Sequence, residues 1–221
     1  MEIENRSLQP LILHPLSSLI LLGAPRRLGG SAFILICVGV LIGCRTTVTP
    51  PQDVRDPVTV AFTDYGRHTS IILPVKQNEW AEYAAGDWAF FALGHNDVLS
   101  GLRALLGIGD WTIGRRYLNF SPTLPGAAQK LGVARVVTFR AERSYSDTLH
   151  ESLDAIFKAH RDQVFYSSYS GLYHVIGSEH YYLFHNCNHS TANWLRLLGC
   201  DVDGSSITSS FDLAPSRPAV H

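Results

Sequence analysis

An uncharged apolar segment near the N-terminus limits what this chain can fold into. No charged side chain occurs over 28–44, and arginine residues flank this run on both sides. A basic flank, an apolar centre and a boundary of small residues are the layout of a secretory signal. At about 17 residues, the run also lies at the lower limit for a helix that spans a membrane. We therefore expect residues 1–44 to act as a leader or anchor, and the folded domain to be built from the rest.

The end of the apolar segment carries a more specific pattern. Leu41-Ile42-Gly43-Cys44 resembles the lipobox of bacterial lipoproteins. The resemblance implies cleavage before Cys44 and attachment of a diacylglycerol to its thiol, and several acyl chains on one terminus hold a protein on a membrane durably. It also implies a place in the bacterial cell envelope, facing the periplasm or the exterior. An uncleaved membrane helix is the alternative anchor.

Composition indicates one ordinary globular domain behind this leader. Residues 45–57 are polar and carry prolines, so we expect a tether, and 58–221 then form a single domain of about 160 residues, enough for a core. The formal net charge of −1 argues against a nucleic-acid partner, because no basic stripe is present to neutralise phosphates. Four cysteines are too few for a disulfide scaffold.

The pattern of apolar residues predicts mixed strands and helices. We expect strands over 58–63, 67–74, 88–93, 134–140 and 181–184, and helices over 78–85, 98–106, 146–160 and 188–198, while 110–120 is left unassigned. A turn at 64–66 should join the first two strands as a hairpin. Strands and helices do not alternate as βαβ units, so the fold class is expected to be α+β.

Two cysteines follow the leader, and helix geometry argues against a disulfide between them. Cys187 and Cys200 are thirteen residues apart, with the expected helix between them. At about 1.5 Å per residue, their separation is on the order of 20 Å, whereas a disulfide needs Cα atoms within roughly 7 Å. Cys187 is therefore expected to be a free thiol, which is unusual in an exported protein.

The surroundings of Cys187 suit a nucleophile. It is expected at a junction between a strand and a helix, where free backbone N–H groups and the helix dipole stabilise a thiolate. The same groups, together with Asn186 and Asn188, are candidates for holding an oxyanion. His68, in the strand RHTSIILP, is the candidate base. Asp97 and His95 are the candidates for orienting the imidazole.

These motifs resemble known families. An early HT-aliphatic-P strand followed by a late NCNH helix is similar to the circularly permuted papain-like cysteine hydrolases, which are related to the NlpC/P60 group. From 58 to 210 the chain resembles more closely the bacterial family called domain of unknown function 2459, in Phe165-Tyr166, Gly171-Leu172-Tyr173-His174 and Cys187-Asn188-His189-Ser190-Thr191-Ala192. The resemblance implies a small antiparallel sheet packed against a helix that starts at the nucleophile, and a Cys-His dyad without a defined substrate. The chain departs from the family pattern at His189-Ser190 and in a longer turn over 94–97.

We therefore expect an envelope-anchored thiol hydrolase that cleaves amide or ester bonds of an unidentified envelope substrate, with no cofactor. Two alternatives stay open: a catalytically silent binding lipoprotein on the same fold, and a metal-binding lipoprotein. The second would use His185, Cys187 and His189, with His174 and His180 nearby, but zinc motifs usually show wider, paired spacings. We therefore assign no metal site.

The lipobox hypothesis predicts covalent lipid on Cys44. When the full chain is expressed in a bacterial host with labelled palmitate, we expect the wild type and Cys200→Ser to incorporate the label and Cys44→Ser to lose it. An unlabelled wild-type protein, or equal labelling of Cys44→Ser, would show that the segment is not a lipoprotein signal.

Overall fold

A computed structural model describes residues 45–66, 68–95, 109–181, 186–206 and 209–214. The strands in these ranges are β1 (Thr46–Thr49), β2 (Pro57–Asp64), β3 (Thr69–Lys76), β4 (Glu79–Asp87), β5 (Gly109–Leu118), β6 (Arg135–Glu142), β7 (Phe165–Ser167), β8 (Leu172–Tyr181), β9 (Asp201–Asp203) and β10 (Phe211–Leu213). The helices are α1 (Ala127–Leu131), α2 (Arg143–Ala159) and α3 (Cys187–Leu197). A π-helical turn (Trp88–Ala92) follows β4, and a 3₁₀ turn (Arg161–Gln163) precedes β7. The α+β class expected from the sequence is confirmed.

The main sheet contains seven strands in the order β6-β2-β3-β4-β5-β8-β7, and every pairing in it is antiparallel. The expected hairpin between β2 and β3 is confirmed, with Asp64 opposite Thr69. Its turn is held by the Asp64 carboxylate, which accepts a hydrogen bond of 2.7 Å from the Gly66 N–H. Gly66 has a φ of +89°, a conformation that favours glycine.

One face of this sheet packs against α2 and α3 and forms the main core. Leu149, Leu153 and Phe157 of α2 are buried, as the helical spacing predicted. They meet inward side chains of β2, β3 and β6, while α3 lies over β3 and β4. Because side chains alternate along a strand, Thr69, Ile71 and Leu73 face the helices and Ser70 and Ile72 face away from them.

Among the described residues, fewer apolar side chains pack on the other face of the sheet. Its apolar cluster is small, with Ala61, Ile72, Leu118 and Leu131 at its centre. Two glycines open space here. A Cβ atom on Gly86 would lie 2.7 Å from the ring of Phe91, and one on Gly114 would lie 2.8 Å from the ring of His174. These glycines let aromatic side chains lie close to the strands, and we call this side the open face.

A second, three-stranded sheet lies in the order β10-β1-β9. Its central strand β1 falls within the segment 45–57 that we expected to act as a tether. Val48 is fully buried in the main core, and Thr46 is fully buried as well. Strand pairing on both sides explains why these residues are ordered: β1 runs parallel to β10 and antiparallel to β9.

Two predicted elements were wrong, and they are consecutive in the chain after β3. The expected helix over 78–85 is strand β4, whose sequence contains no β-branched residue and is rich in alanine and glutamate, which favour helices. The expected strand over 88–93 is the π-helical turn. The carboxylate of Asp87 starts this turn by accepting a hydrogen bond of 2.8 Å from the Phe90 N–H.

Other expected features lie outside the described residues: the leader with Cys44, the helix over 98–106 and most of the strand over 181–184. Across the ranges that the structure describes, no helix combines the length and the hydropathy needed to cross a bilayer. The segment left unassigned at 110–120 is mostly strand β5.

The packing of α3 predicts opposite outcomes for two leucines in its last turn. Leu195 is fully buried and Leu197 is 62% exposed. Leu195→Ala should lower the free energy of unfolding by about 2–5 kcal/mol, whereas Leu197→Ala should change it by less than about 0.5 kcal/mol. Urea unfolding of the full chain measures both, and equal effects would contradict the placement of α3.

Candidate active site on the open face

A cavity of about 840 Å³ lies on the open face, beside the start of α3. Most of its walls are aromatic or apolar, and a few polar side chains reach it, which is typical of small-molecule sites. Its lining residues are Tyr65, Gly66, His68, Ala84, Gly86, Asp87, Phe90, Phe91, Leu131, Gly132, Tyr169, Ser170, Leu172 and Cys187.

Cys187 is the first residue of α3, as the sequence predicted. Its side chain is 7% exposed and reaches the cavity wall, and its sulfur lies 3.7 Å from Asn188 Oδ1. Cys187 and Cys200 are not joined by a disulfide, as the helix geometry predicted. Burial raises the pKa of the Cys200 thiol to about 12. Cys187 thus lies where a helix dipole meets a cavity, and Cys200 does not line that cavity.

The two asparagines beside Cys187 organise the start of the helix. Asn186 Oδ1 accepts hydrogen bonds from the N–H groups of Asn188 (2.9 Å) and His189 (3.1 Å), and it also lies 3.1 Å from His189 Nδ1. Two of the backbone N–H groups at the start of the helix, those of Asn188 and His189, are therefore occupied by this cap. Neither asparagine is among the residues that line the cavity.

Asn188 instead joins α3 to the main sheet. Its Oδ1 lies 3.1 Å from the hydroxyl of Thr69, which also lies 2.9 Å from the hydroxyl of Thr191. All three side chains are buried, where a polar group is tolerated only with a hydrogen-bond partner. These contacts set the position of Cys187 relative to β3.

His68 precedes β3 and lines the same cavity as Cys187. Its ring stacks on Phe91, with centroids 4.3 Å apart, and lies 5.8 Å from the ring of Tyr65. Its Nε2 atom is buried and has no hydrogen-bond partner among the described residues. Burial, with a smaller effect of His174, lowers the pKa of His68 to about 3. The imidazole is therefore neutral at pH 7. A pKa this low also makes it a weak base, so taking the thiol proton would require the thiolate formed beside it to stabilise the imidazolium.

Of the two residues expected to orient the imidazole, the structure describes only His95, and it does not line the cavity. His95 is exposed, follows the π-helical turn and is not among the lining residues. Asp97 lies outside the described residues. The carboxylate that does line the cavity is Asp87, which is 3% exposed. Sequence reasoning missed it because it assigned the residues on either side of Asp87 to the wrong elements.

A buried ionic cluster supports the cavity wall beneath Tyr65. The carboxylate of Glu82 is fully buried and accepts hydrogen bonds of 2.6 Å each from Tyr65 Oη, Ser70 Oγ and Arg116 Nε. Burial and the neighbouring Glu82 raise the pKa of the Tyr65 phenol well above its usual range. Tyr65 is therefore a neutral phenol with a fixed orientation.

His174 is a fully buried histidine on the open face. Sequence reasoning considered it only as a residue near the metal-binding alternative and as part of a family motif. Phe91 lies between it and His68, with its ring edge-on to His174 at 5.1 Å. The Gly-x-Tyr-His string, which contains His174, was the sequence feature that could have indicated a functional residue here. Among the described residues, no three His, Cys, Asp or Glu side chains form a group that could hold a metal ion. His185 of the metal-binding alternative lies outside them.

Comparison of the chain with protein-family models, curated proteins and solved structures gave no match. The family resemblances noted from the sequence therefore stay expectations, and the residues of the cavity are the basis for a functional proposal.

The lowered pKa values of His68 and His174 predict a pH dependence of stability. In the folded chain the pKa values of His68 and His174 are about 3 and about 4, below the ordinary value of 6.5 that they regain on unfolding. At a pH between the folded and the unfolded pKa values, the unfolded chain binds more protons than the folded chain. The free energy of unfolding therefore falls as the pH drops below about 6.5. In urea unfolding of the full chain from pH 7 to 4.5, His68→Gln should reduce this slope by up to about 1.4 kcal/mol per pH unit. An unchanged slope would show that folding does not lower the pKa of His68.

Proposed function

We propose that this chain is a thiol hydrolase that cleaves an amide or ester bond in the cavity on the open face. The observation that carries the proposal is that Cys187, at the start of α3, and His68, at the start of β3, line the same cavity. A thiol nucleophile needs a base within hydrogen-bond reach, and the candidate is the imidazole of His68, whose Nε2 has no hydrogen-bond partner among the described residues.

The proposed reaction uses His68 first as a base and then as an acid. The imidazole takes the thiol proton while the sulfur of Cys187 bonds to the carbonyl carbon, and the carbonyl electron pair moves to oxygen. When the tetrahedral intermediate collapses, the C–N or C–O bond breaks and His68 gives its proton to the leaving group. Water then attacks the thioester with His68 again as base, which releases the acid and restores the thiol.

The arrangement of these elements also supports a permuted papain-like fold. His68 precedes Cys187 in sequence, an antiparallel sheet packs against the helix that begins at Cys187, and Thr69 joins the two. We also propose that the chain belongs to the family called domain of unknown function 2459.

We place the enzyme in the bacterial cell envelope, anchored as a lipoprotein through Cys44. The support for this is the apolar leader with its Leu-Ile-Gly-Cys end. A substrate of the envelope follows from that location. The aromatic walls supplied by Phe90, Phe91 and Tyr169 favour a substrate with an uncharged, apolar acyl part.

A dyad predicts that the reactivity of Cys187 depends on His68. We would measure iodoacetamide alkylation of the full-length protein at pH 7 and locate the modified cysteine by peptide mass spectrometry. His68→Gln should slow the alkylation of Cys187 by about 100-fold, because a positioned base contributes about 10²–10⁴ to a rate.

Cys200→Ser is the matched control and should leave the rate at Cys187 unchanged, since Cys200 does not line the cavity. A rate at Cys187 that is the same in the wild type and in His68→Gln would contradict the dyad. It would favour the alternative of a catalytically silent binding protein.

A further inference from the structure

Ser170 places a hydroxyl group in the wall of the cavity, in the turn that joins β7 to β8. Its backbone N–H donates a hydrogen bond of 3.2 Å to Ser167 Oγ, and the next residue, Gly171, donates one of 2.9 Å to the Ser167 carbonyl. Gly171 has a φ of +70°, which favours glycine. The turn therefore holds Ser170 in a defined position at the cavity.

The hydroxyl of Ser170 is paired with a histidine. Ser170 Oγ lies 2.7 Å from Nε2 of His174, and His174 is fully buried on the open face of β8. The other ring nitrogen, Nδ1, lies 3.4 Å from Thr112 Oγ1 on the neighbouring strand β5. Gly114, also on β5, makes room for the ring, because a Cβ atom there would lie 2.8 Å from it. Serine, histidine and threonine thus form one hydrogen-bonded chain.

The directions of these hydrogen bonds define the tautomer of His174. Thr112 Oγ1 donates its single proton to the carbonyl of Val175 at 2.8 Å, so toward His174 it acts as an acceptor. Nδ1 of His174 therefore carries the ring proton and donates it to Thr112. Nε2 is left as the acceptor, and the Ser170 hydroxyl donates to it. Burial lowers the pKa of His174 to about 4, which is consistent with this neutral ring.

We infer that Ser170 is a second nucleophile in this cavity, with His174 as its base and Thr112 as the residue that positions the imidazole, and that it reacts with electrophilic acyl or phosphonyl esters. This goes beyond the proposed function, because it uses neither Cys187 nor His68. The hydrogen bonds link hydroxyl, imidazole and a third polar group as in a serine-histidine-aspartate triad, but here the third group is the neutral hydroxyl of Thr112.

The reaction with an ester balances as follows. The Ser170 proton passes to Nε2 of His174 while Oγ bonds to the carbonyl carbon. The C–O bond to the alcohol then breaks, and the alcohol leaves with the proton from Nε2. Water hydrolyses the acyl-serine by the same proton route. With a fluorophosphonate, Oγ bonds to phosphorus, the P–F bond breaks, fluoride leaves and the proton stays on His174 until solvent takes it.

A fluorophosphonate probe tests this inference on the full-length protein. Peptide mass spectrometry locates the label, so reaction at Ser170 is read separately from any chemistry at Cys187. We expect labelling of Ser170 in the wild type, its loss in Ser170→Ala, and retention in Ser168→Ala, which changes an exposed serine of the same turn. His174→Gln should slow the labelling by about 100-fold.

Two variants of Thr112 test the same inference if His174→Gln does not fold. Thr112→Val removes the acceptor of the Nδ1 proton and should slow the labelling by about tenfold, the worth of one neutral hydrogen bond. Thr112→Ser keeps the hydroxyl and should label at the wild-type rate. An unlabelled Ser170 in the wild type, or labelling at equal rates in Thr112→Val and Thr112→Ser, would overturn the inference.

Discussion

The hydroxyl of Thr69 forms the contact on which the arrangement of the proposed site depends. It lies between β3 and α3, within 3.1 Å of Asn188 and 2.9 Å of Thr191, in a place without solvent. A buried polar group without partners costs about 1–3 kcal/mol, so these three side chains hold the helix in one position against the strand. Since His68 immediately precedes Thr69 and Cys187 immediately precedes Asn188, the same contact brings the proposed base and nucleophile to one cavity.

The two faces of the main sheet have different roles. The face toward α2 and α3 carries most of the apolar core, which includes inward residues of β2, β3 and β6. The open face carries the polar chemistry: the Glu82–Arg116 ion pair, His174 and the cavity itself. Breaking a buried ion pair costs about 3–5 kcal/mol when one charge is left alone, so Glu82 and Arg116 keep the wall at Tyr65 fixed. Glycines of β4 and β5 supply the space in which the aromatic rings lie.

The sequence predicted the elements whose residue types match their secondary structure. Strands β2, β3 and β6 are rich in β-branched residues, the apolar residues of helices α2 and α3 have helical spacing, and Cys187 was correctly placed at the start of α3. Strand β4 was misassigned because its sequence, EWAEYAAGD, contains no β-branched residue and is rich in alanine and glutamate, which favour helices. The pairing of His174 with Ser170 and Thr112 was not predicted, since it depends on which strands are neighbours in the sheet. Strand order is a property of the whole fold, and local patterns do not specify it.

The most direct test of the proposed hydrolase is to find its acyl intermediate. Full-length protein would be mixed with nitrophenyl esters of several acyl chain lengths, quenched in acid and mapped by mass spectrometry. The account predicts an acyl group on Cys187 that neutral hydroxylamine removes, as expected of a thioester, and that forms more slowly in His68→Gln. Acylation at other residues alone, with none at Cys187 for any chain length, would contradict it.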